Sequence, residues 1–461
     1  MVRTTKTHLT QTNRSLSNAR FVRINPTLKI FLMVILHVAL AIALRSFSIL
    51  ATIHALMVFA IGLWRAITAN DIKDVVPVAA YITGAEVLWR MTDAGIFWEF
   101  GKYATVAIFT LALLKQRKIT GMGLPVLFFI VLAPSIVLTV NDFGLSTRTR
   151  ELISFNLSGP LAVSVCLIFF RQFKVELSEL YGWVWAIAYP IISIFTLAAY
   201  STLTASEIYF GTESVFVTSG GYGPNQVSAV LGLGALVLMM WAISAKNQGG
   251  RLLALLLALA LLTQSFLTFS RGGVYNFTIA LAAAILHLMG KPSKFIRGVF
   301  VLLIIGIIVA NTIIPRLDNF TRGALSQRFS DLDVSSRFVL ARADLELFFS
   351  NPIFGVGPGM AVFLRQNVFY AAAHTEYTRL LSEHGIGGIL ALLILIIILI
   401  KSYFKAPDIL TRAWVVALAA WPIVEMAHAA MRVVGIALLL GMATIKWKTN
   451  EKISIEDDAS G

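Results

Sequence analysis

The sequence is poor in charge and in cysteine, and it lacks the motifs that mark many soluble enzymes. Only 13% of its 461 residues are Asp, Glu, Lys or Arg, and Cys166 is the only cysteine. No disulfide can therefore form within the chain, so cysteine usage does not indicate a compartment. There is no Walker A loop, GxSxG elbow, HExxH or CxxC pattern, which argues against ATP hydrolysis and serine-hydrolase chemistry.

Apolar residues, by contrast, dominate the chain. They make up 57% of it, and the mean hydropathy is +0.80. Apolar runs of about 20 residues, the length that crosses a bilayer as a helix, recur along the sequence. The sequence therefore predicts an all-α polytopic membrane protein, because helices satisfy their own backbone hydrogen bonds in lipid. We place about 12–14 transmembrane helices, at 28–44, 46–64, 75–91, 96–114, 122–140, 157–170, 182–200, 226–244, 252–269, 274–289, 298–314, 386–400, 411–425 and 430–445. Alternatively, the two spans around Arg45 form one broken unit and so do the last two, around Glu425 and Arg432, and the count is then twelve.

The distribution of lysine predicts the orientation. The formal net charge is +14, and loops rich in Lys and Arg face the cytoplasm, so we read this charge as topology and expect no nucleic-acid partner. With the N-terminus inside, every lysine except Lys102 falls on the cytoplasmic side. The basic N-terminal segment is then an uncleaved tail. The predicted parts are a cytoplasmic tail (1–27), a transmembrane bundle (28–314), a large extracytoplasmic loop (315–385), C-terminal transmembrane helices (386–445) and a second cytoplasmic tail (446–461).

The long polar stretch at 315–388 is basic through arginine alone. The positive-inside rule does not explain arginine on an outer face. A guanidinium is a planar fork that binds phosphate through two hydrogen bonds, so this stretch is typical of a pyrophosphate site. Alternatively, the arginines extend to lipid headgroups or pair with nearby acids, as the spacing of Arg342–Glu346 and Arg379–Glu383 allows. The arginines are Arg316, Arg322, Arg328, Arg337, Arg342, Arg365 and Arg379.

Within this stretch the pattern predicts an amphipathic interfacial helix over 335–351, ended by Asn351-Pro352 and followed by a glycine-rich turn. Thr375 is a candidate N-cap for the helix that enters the membrane. A histidine at that position, His374, feels the positive end of the helix dipole, which favours the neutral imidazole that a general base needs. The alternative is a capping or interfacial histidine.

Other polar features have two interpretations each. Arg271, in Ser270-Arg271-Gly272-Gly273, either binds a ligand or extends to the membrane surface. Asn225 is expected to cap the next span. Charged residues inside spans, at helical spacing, either pair structurally or mark a site: Glu86 with Arg90, Glu99 with Lys102, and Glu425 with His428 and Arg432. Asp331-Leu332-Asp333 is a lone DxD, a weak metal signal, and we predict no metal site and no cofactor.

At these residues the chain resembles the O-antigen ligase and polysaccharide polymerase superfamily of bacterial membrane proteins. The shared elements, in chain order, are Gly223-Pro224-Asn225, Ser270-Arg271-Gly272-Gly273, Arg337, Asn351-Pro352-x-x-Gly355-x-Gly357-x-Gly359, and His374-Thr375 followed after nine residues by Gly385-x-x-Gly388. Thr375 departs from the Asn, Ser or Gln usual at that position. Val339-Leu340 also stand where a tryptophan is common after the loop arginine.

The resemblance implies a metal-independent glycosyltransferase at the outer face of the bacterial inner membrane. The donor would be a glycan on undecaprenyl pyrophosphate, and the acceptor either lipid A core or a growing polysaccharide. His374 would be the general base. Arg271 and Arg337, with Arg328 or Arg322, would hold the pyrophosphate, and Asn225 and Arg379 are further candidate substrate ligands. Pre-placed guanidiniums stabilise the negative charge that develops on such a leaving group.

Two other classes of protein fit parts of the sequence. A lipid-linked oligosaccharide flippase, or another multi-span transporter, would share the many spans, the cationic residues and the lack of nucleotide motifs. A large outer loop ending in a histidine has little use in a flippase, and this feature favours the enzyme. A membrane scaffold would predict that the outer arginines are replaceable.

Overall fold

The computed structural model describes residues 25–211, 213–290, 314–330, 335–365 and 373–448, together with positions 296, 303, 307 and 311. The predicted span at 298–314 lies mostly outside the described residues, and Asp331-Leu332-Asp333 lies wholly outside them. The described chain is almost entirely helical, which confirms the predicted all-α polytopic class.

The helices, numbered in chain order, are α1 Pro26–Ser46, α2 Ser48–Thr68, α3 Val76–Met91, α4 Phe100–Leu114, α5 Gly123–Ile130, α6 Ile136–Phe143, α7 Thr147–Phe169, α8 Leu177–Thr204, α9 Pro224–Ser244, α10 Gln248–Leu267, α11 Arg271–Leu288, α12 Ile314–Phe320, α13 Ala324–Ser330, α14 Ser335–Ser350, α15 Ala361–Leu364, α16 Glu376–His384, α17 Ile386–Lys405, α18 Ile409–His428 and α19 Val434–Met442. Two short strands, β1 Lys174–Val175 and β2 Lys446–Trp447, pair in parallel.

Among the described residues, nine helical segments are long and apolar enough to cross a membrane; α5 and α6 count as one of them. Three further helices, α3, α4 and α11, are shorter or less apolar and pack beside them. The predicted count of 12–14 therefore stays a prediction. Large apolar side chains are exposed along α1, α2, α10 and α17, as expected of surfaces that face lipid.

The predicted span at 430–445 is only partly helical, which fits the alternative that it forms one broken unit with the preceding span. Its helical part, α19, has nine residues and rises about 14 Å, against about 30 Å for a hydrocarbon core. Ala429 and Val433 on either side of the break are extended. Glu425 and His428 end α18, whereas Arg432 lies in the extended segment 429–433, so the three residues do not share one helical face as the sequence suggested.

Charged side chains from neighbouring helices satisfy the backbone of this break. Glu86 accepts a hydrogen bond from Val434 N at 2.7 Å, and Lys102 Nζ donates to Met431 O at 3.3 Å. Arg90, which pairs with Glu86 at 2.7 Å, donates to Arg432 O at 3.3 Å. Non-helical backbone within a membrane persists only where protein groups satisfy it. These intramembrane charges therefore stabilise the segment 429–433 in its non-helical conformation.

Four of the lysines that are predicted to be cytoplasmic lie together at one end of the bundle. Lys73 pairs with Glu179 at 2.6 Å and Lys448 with Glu176 at 2.8 Å. The β1–β2 pairing sets Lys174 beside Lys446. The break at 429–433 follows the 20-residue helix α18, and α19 leads from it back toward this end, so the break lies away from these lysines.

The predicted helix at 335–351 is confirmed as α14, which ends at Ser350 before Asn351-Pro352, but it is not amphipathic as predicted, since Phe338 is exposed and Asp344 is buried. Thr375 is an N-cap, as predicted, and accepts a hydrogen bond from Tyr377 N at 3.2 Å. It caps the short helix α16, however, and the membrane helix α17 begins separately after Gly385, whose φ is 58°. Asn225 is not a cap: Pro224 is the first residue of α9, and Gly223 occupies the N-cap position.

Candidate active site

The first wall of the site is the start of α11. Arg271 is its first residue and is partly exposed. The preceding Ser270 is fixed from α9, because its hydroxyl donates to Asn225 Oδ1 at 2.8 Å and its carbonyl accepts from Ser228 Oγ at 2.8 Å. Asn225 thus orients the backbone that presents Arg271.

The glycines after Arg271 allow close packing. A Cβ on Gly273 would collide with the backbone oxygen of Ser228, and a Cβ on Gly272 would lie 2.5 Å from Cε1 of His428. Real Cβ atoms do not approach other atoms so closely, so α9 and α18 can pack here only against glycine. The Ser-Arg-Gly-Gly run therefore brings Arg271 to the outer ends of both helices.

The helix α13 adds a second arginine. Arg328 Nε donates to Phe269 O at 3.1 Å, beside Ser270 and Arg271. Phe269 has a φ of 57°, an uncommon conformation for a bulky residue and one that often occurs at functional sites. Arg322 lies in the turn before α13 with a φ of 54° and is exposed, so the structure places it at the rim.

The helix α14 brings Arg337 to the same place. Burial, Arg271 and Arg328 all lower the pKa of Arg337, and the carboxylate of Glu425 acts in the opposite direction. Electrostatic coupling of this strength requires proximity. Three arginines from separate elements, α11, α13 and α14, therefore form one positively charged cluster, which we call the arginine cluster.

His374 lies beside this cluster, two residues before α16. It is partly exposed, and burial together with Arg337, Arg432 and Arg365 lowers its pKa to about 4. The guanidinium of Arg432 donates to Ala373 O at 2.9 Å, so it touches the residue before His374. The imidazole is neutral at pH 7, because positive neighbours and burial both disfavour the protonated form.

The sequence singled out Arg432 only as an intramembrane charge grouped with Glu425 and His428, and it did not place Arg432 beside His374. Arg432 lies in the segment 429–433, half-buried, and its Nε has no hydrogen-bond partner among the described residues. The available signal was an arginine in an apolar run, but its spacing from Glu425 and His428 suggested a continuous helix instead. Only the break in that helix turns Arg432 toward His374.

Arg379 has a different environment from the other candidates. It is buried, and its guanidinium pairs with both Glu376 and Glu383, the latter at 2.9 Å. It also donates to Asn156 Oδ1 at 3.1 Å. The role of Arg379 as a substrate ligand stays a prediction. The geometry does not favour it, because the guanidinium already binds two carboxylates of the protein. Arg342 likewise pairs with Glu346, at 3.0 Å on an exposed face.

The glycine run after α14 fastens the loop to α16. Val356 N donates to Ser382 O at 2.9 Å, and Gly357 N donates to Glu383 O at 3.0 Å. Gly355, Gly357 and Gly359 all have positive φ. The predicted tight turn therefore packs against α16. It fixes the position of α14 and Arg337 relative to α16 and His374.

A buried carboxylate faces the arginine cluster from α18. Glu425 accepts a hydrogen bond from Asn276 Nδ2, and His428 Nε2 lies 3.4 Å from the same carboxylate and 2.9 Å from Asn276 Oδ1. The site thus joins one neutral histidine, several guanidiniums and one acidic side chain, away from the lysine-rich end of the bundle. This arrangement can bind an anion and accept a proton beside it.

Fold and site together define a polytopic helical membrane protein with a cationic site at one end. Residues 252–393 match the family model described as O-antigen ligase. The match includes Arg271, Arg328, Arg337 and His374, and it confirms the resemblance seen in the sequence. The matched region is less than half of the chain, and it supports a membrane protein of the O-antigen ligase kind, with a glycosyltransferase activity of the ligase or polymerase type. No curated protein matches the chain.

Proposed function

We propose that the protein transfers a glycan from undecaprenyl pyrophosphate to an acceptor hydroxyl, at the outer face of a bacterial inner membrane and with both termini cytoplasmic. The observation that carries the proposal is the neutral imidazole of His374 beside Arg337 and Arg432, with Arg271 and Arg328 in the same cluster. The acceptor is either lipid A core or a growing polysaccharide, and these share the chemistry of a sugar hydroxyl.

In the proposed step, the acceptor oxygen forms a bond to the anomeric carbon of the donor sugar. The bond between that carbon and the pyrophosphate oxygen breaks, and the bonding electrons leave with the pyrophosphate. The acceptor proton passes to a ring nitrogen of His374. Guanidiniums already in place stabilise the charge on the leaving group without reorganisation. The activated donor supplies the driving force, so the step requires no ATP.

The low pKa of His374 in the free enzyme is consistent with donor binding before proton transfer. Donor binding places phosphate charges among Arg337, Arg432 and their neighbours, which offsets the positive field on the imidazole. The pKa of His374 then moves back toward its ordinary value near 6.5, and the ring becomes a stronger base when the substrate is present. General bases are most effective when their pKa lies near the working pH.

Replacing His374 by alanine tests the base directly. With a purified undecaprenyl-pyrophosphate-linked glycan, we expect His374→Ala to lose about 10²–10⁴-fold in turnover, the usual contribution of a general base, while donor binding is retained. The matched control is His287→Ala, because His287 is also half-buried and bonds only Tyr403, at 3.3 Å, in the described structure.

Normal transfer by His374→Ala would reject the general-base role. Movement of the donor across vesicles without transfer in the wild type would instead favour the flippase alternative. The proposed metal independence predicts unchanged transfer after chelation with EDTA. Supplying lipid A core or lipid-linked repeat units separately identifies the acceptor.

A further inference from the structure

The carboxylate of Glu425 is the acidic group that faces the arginine cluster from the membrane side. Its side chain is about one-twentieth exposed (5%), and it sits near the outer end of α18. It acts electrostatically on Arg337 and on Arg432. His428, one turn further along α18, packs on Gly272 next to Arg271. Glu425 therefore lies close to the start of α11, which carries Arg271, and Arg337 of α14 is near enough to feel its charge.

Hydrogen bonding fixes the orientation of this carboxylate. Asn276 Nδ2 donates to Glu425, so Asn276 Oδ1 must face His428 and accept from its Nε2–H at 2.9 Å. Asn276 is fully buried on α11, the helix that begins with Arg271. The hydrogen bond from Asn276 and the nearby guanidiniums of Arg337 and Arg432 favour the charged form of this carboxylate, against the opposing effect of its burial. The same network links the carboxylate to the helix that carries Arg271.

Substrate and product of the proposed reaction differ in charge at this place. The donor is a pyrophosphate diester, whereas the product that remains is a polyprenyl pyrophosphate with a free terminal phosphate, whose second ionisation lies near pH 6. The product therefore carries more negative charge than the donor at neutral pH. Arginines without a resident anion would hold the product more tightly than the donor and would slow its release.

We propose that Glu425 is a resident counter-ion of the arginine cluster: it positions the guanidiniums in the empty site and promotes release of the pyrophosphate product. Asn276 and His428 hold it in place. Glu425 acts through the arginines and does not touch the reacting atoms, so it is a positioning residue. The inference rests on the proposed function, since it assumes that the cluster binds pyrophosphate.

The test is the affinity of the purified full-length protein for inorganic pyrophosphate, and for farnesyl pyrophosphate in detergent. In Glu425→Gln, which keeps the hydrogen bond from Asn276, we expect about tenfold tighter binding of both probes, the effect of one unit charge at about 10 Å in a protein environment. The variant should also show a lower kcat with a lower KM, and stronger inhibition by undecaprenyl pyrophosphate. Glu425→Asp keeps the charge and should bind like the wild type.

A matched control removes a carboxylate at the other end of the bundle. Glu179→Gln, at the Lys73 pair, should leave pyrophosphate affinity within about twofold, because solvent screens charges at that distance. Unchanged or weaker binding in Glu425→Gln overturns the counter-ion role. Failure of the wild type to bind either probe overturns the proposed function instead.

Folding of the variant is a separate outcome. If Glu425→Gln does not fold, the double variant Glu425→Gln with Arg337→Gln removes one charge of each sign and should restore folding, because an unpaired buried charge is the destabilising element. Failure of the double variant to fold also overturns the proposal, since the carboxylate would then serve packing independently of the arginines.

Discussion

At the scale of single residues, burial and three arginines from distant parts of the chain lower the pKa of His374 and keep it neutral. Arg337 comes from α14, Arg432 from the break before α19 and Arg365 from the end of α15. Arg365 is itself anchored by Asp344 at 2.7 Å. A buried histidine next to positive charge binds a proton poorly. In the proposed reaction the same arginines also attract the anionic donor, so one set of residues would tune the base and bind the substrate.

This arrangement predicts different acid limits for kcat/KM and kcat. In the free enzyme the pKa of His374 is lowered to about 4, so the base stays neutral as pH falls from 8 and is lost only as pH nears 4. In the donor complex the pKa is higher, so kcat should fall at a higher pH than kcat/KM. Initial rates between pH 4 and 8 measure both limits, and a kcat/KM limit near 6.5 would contradict the lowered pKa.

A substitution of Arg271 by lysine separates the effect of guanidinium geometry on substrate binding from the effect of charge. Lysine keeps the positive charge but loses the planar fork that binds two phosphate oxygens. We expect Arg271→Lys to lose at least about tenfold in transfer rate and in pyrophosphate affinity. Arg342→Lys is the control, because Arg342 is exposed and pairs with Glu346, and it should change either quantity by less than about twofold. Wild-type activity with lysine at 271 argues against two-point binding.

At the scale of elements, the glycine run matters because it joins two helices that carry site residues. Gly355 has a φ of 67°, and a Cβ there would collide with the backbone of Glu383 and lie 2.5 Å from His384 N. Backbone atoms cannot give way as a flexible side chain can. An alanine would therefore push α14 away from α16, and Arg337 away from His374.

We expect Gly355→Ala to lower the free energy of unfolding by about 3 kcal/mol, from backbone strain and the clash together, and to abolish most transfer. Gly323→Ala is the matched control, since Gly323 also has a positive φ, 84°, but nothing lies within 4 Å of its added Cβ. It should lose only about 1 kcal/mol. Thermal unfolding in detergent measures both variants, and equal losses would show that strain alone matters.

The elements of this site were readable from the sequence to different degrees. The helix α14, the Thr375 cap and the Glu86–Arg90 pair follow from local spacing, and the structure confirms them. The sequence allowed the last two spans to be one broken unit, but it did not place the break at 429–433, because an apolar run with helical spacing favours a continuous helix. Its stability comes from Glu86, Lys102 and Glu376, which are distant in sequence and meet it only in the folded bundle.

Asn225 shows the same limit on a smaller scale. Its position before an apolar run is typical of an N-cap, but Pro224 already fits the first helical turn. The side chain is thus left to hold Ser270 of a different helix. Local rules predicted that Asn225 matters at the start of α9, but not which residue it contacts. Tertiary contacts decided its role.

At the scale of the whole molecule, lysines gather at the end of the bundle where β1 pairs with β2, together with arginines such as Arg171. The arginine cluster and His374 lie away from that end. Basic residues near the cytoplasmic face follow the positive-inside rule. The arginine cluster does not, and we propose that it is a binding surface. The orientation of the protein therefore decides whether the site meets donors on the outer face of the membrane.

Cysteine labelling measures this orientation with little background, because the single cysteine, Cys166, is buried. Ser326 on α13 and Ser178 at the start of α8 are both exposed, at opposite ends of the bundle. With a membrane-impermeant maleimide on spheroplasts, we expect Ser326→Cys to be labelled at once. Ser178→Cys should be labelled only after permeabilisation, and the wild type hardly at all. The reverse pattern would place the arginine cluster in the cytoplasm, where the proposed transfer to an extracytoplasmic acceptor cannot take place.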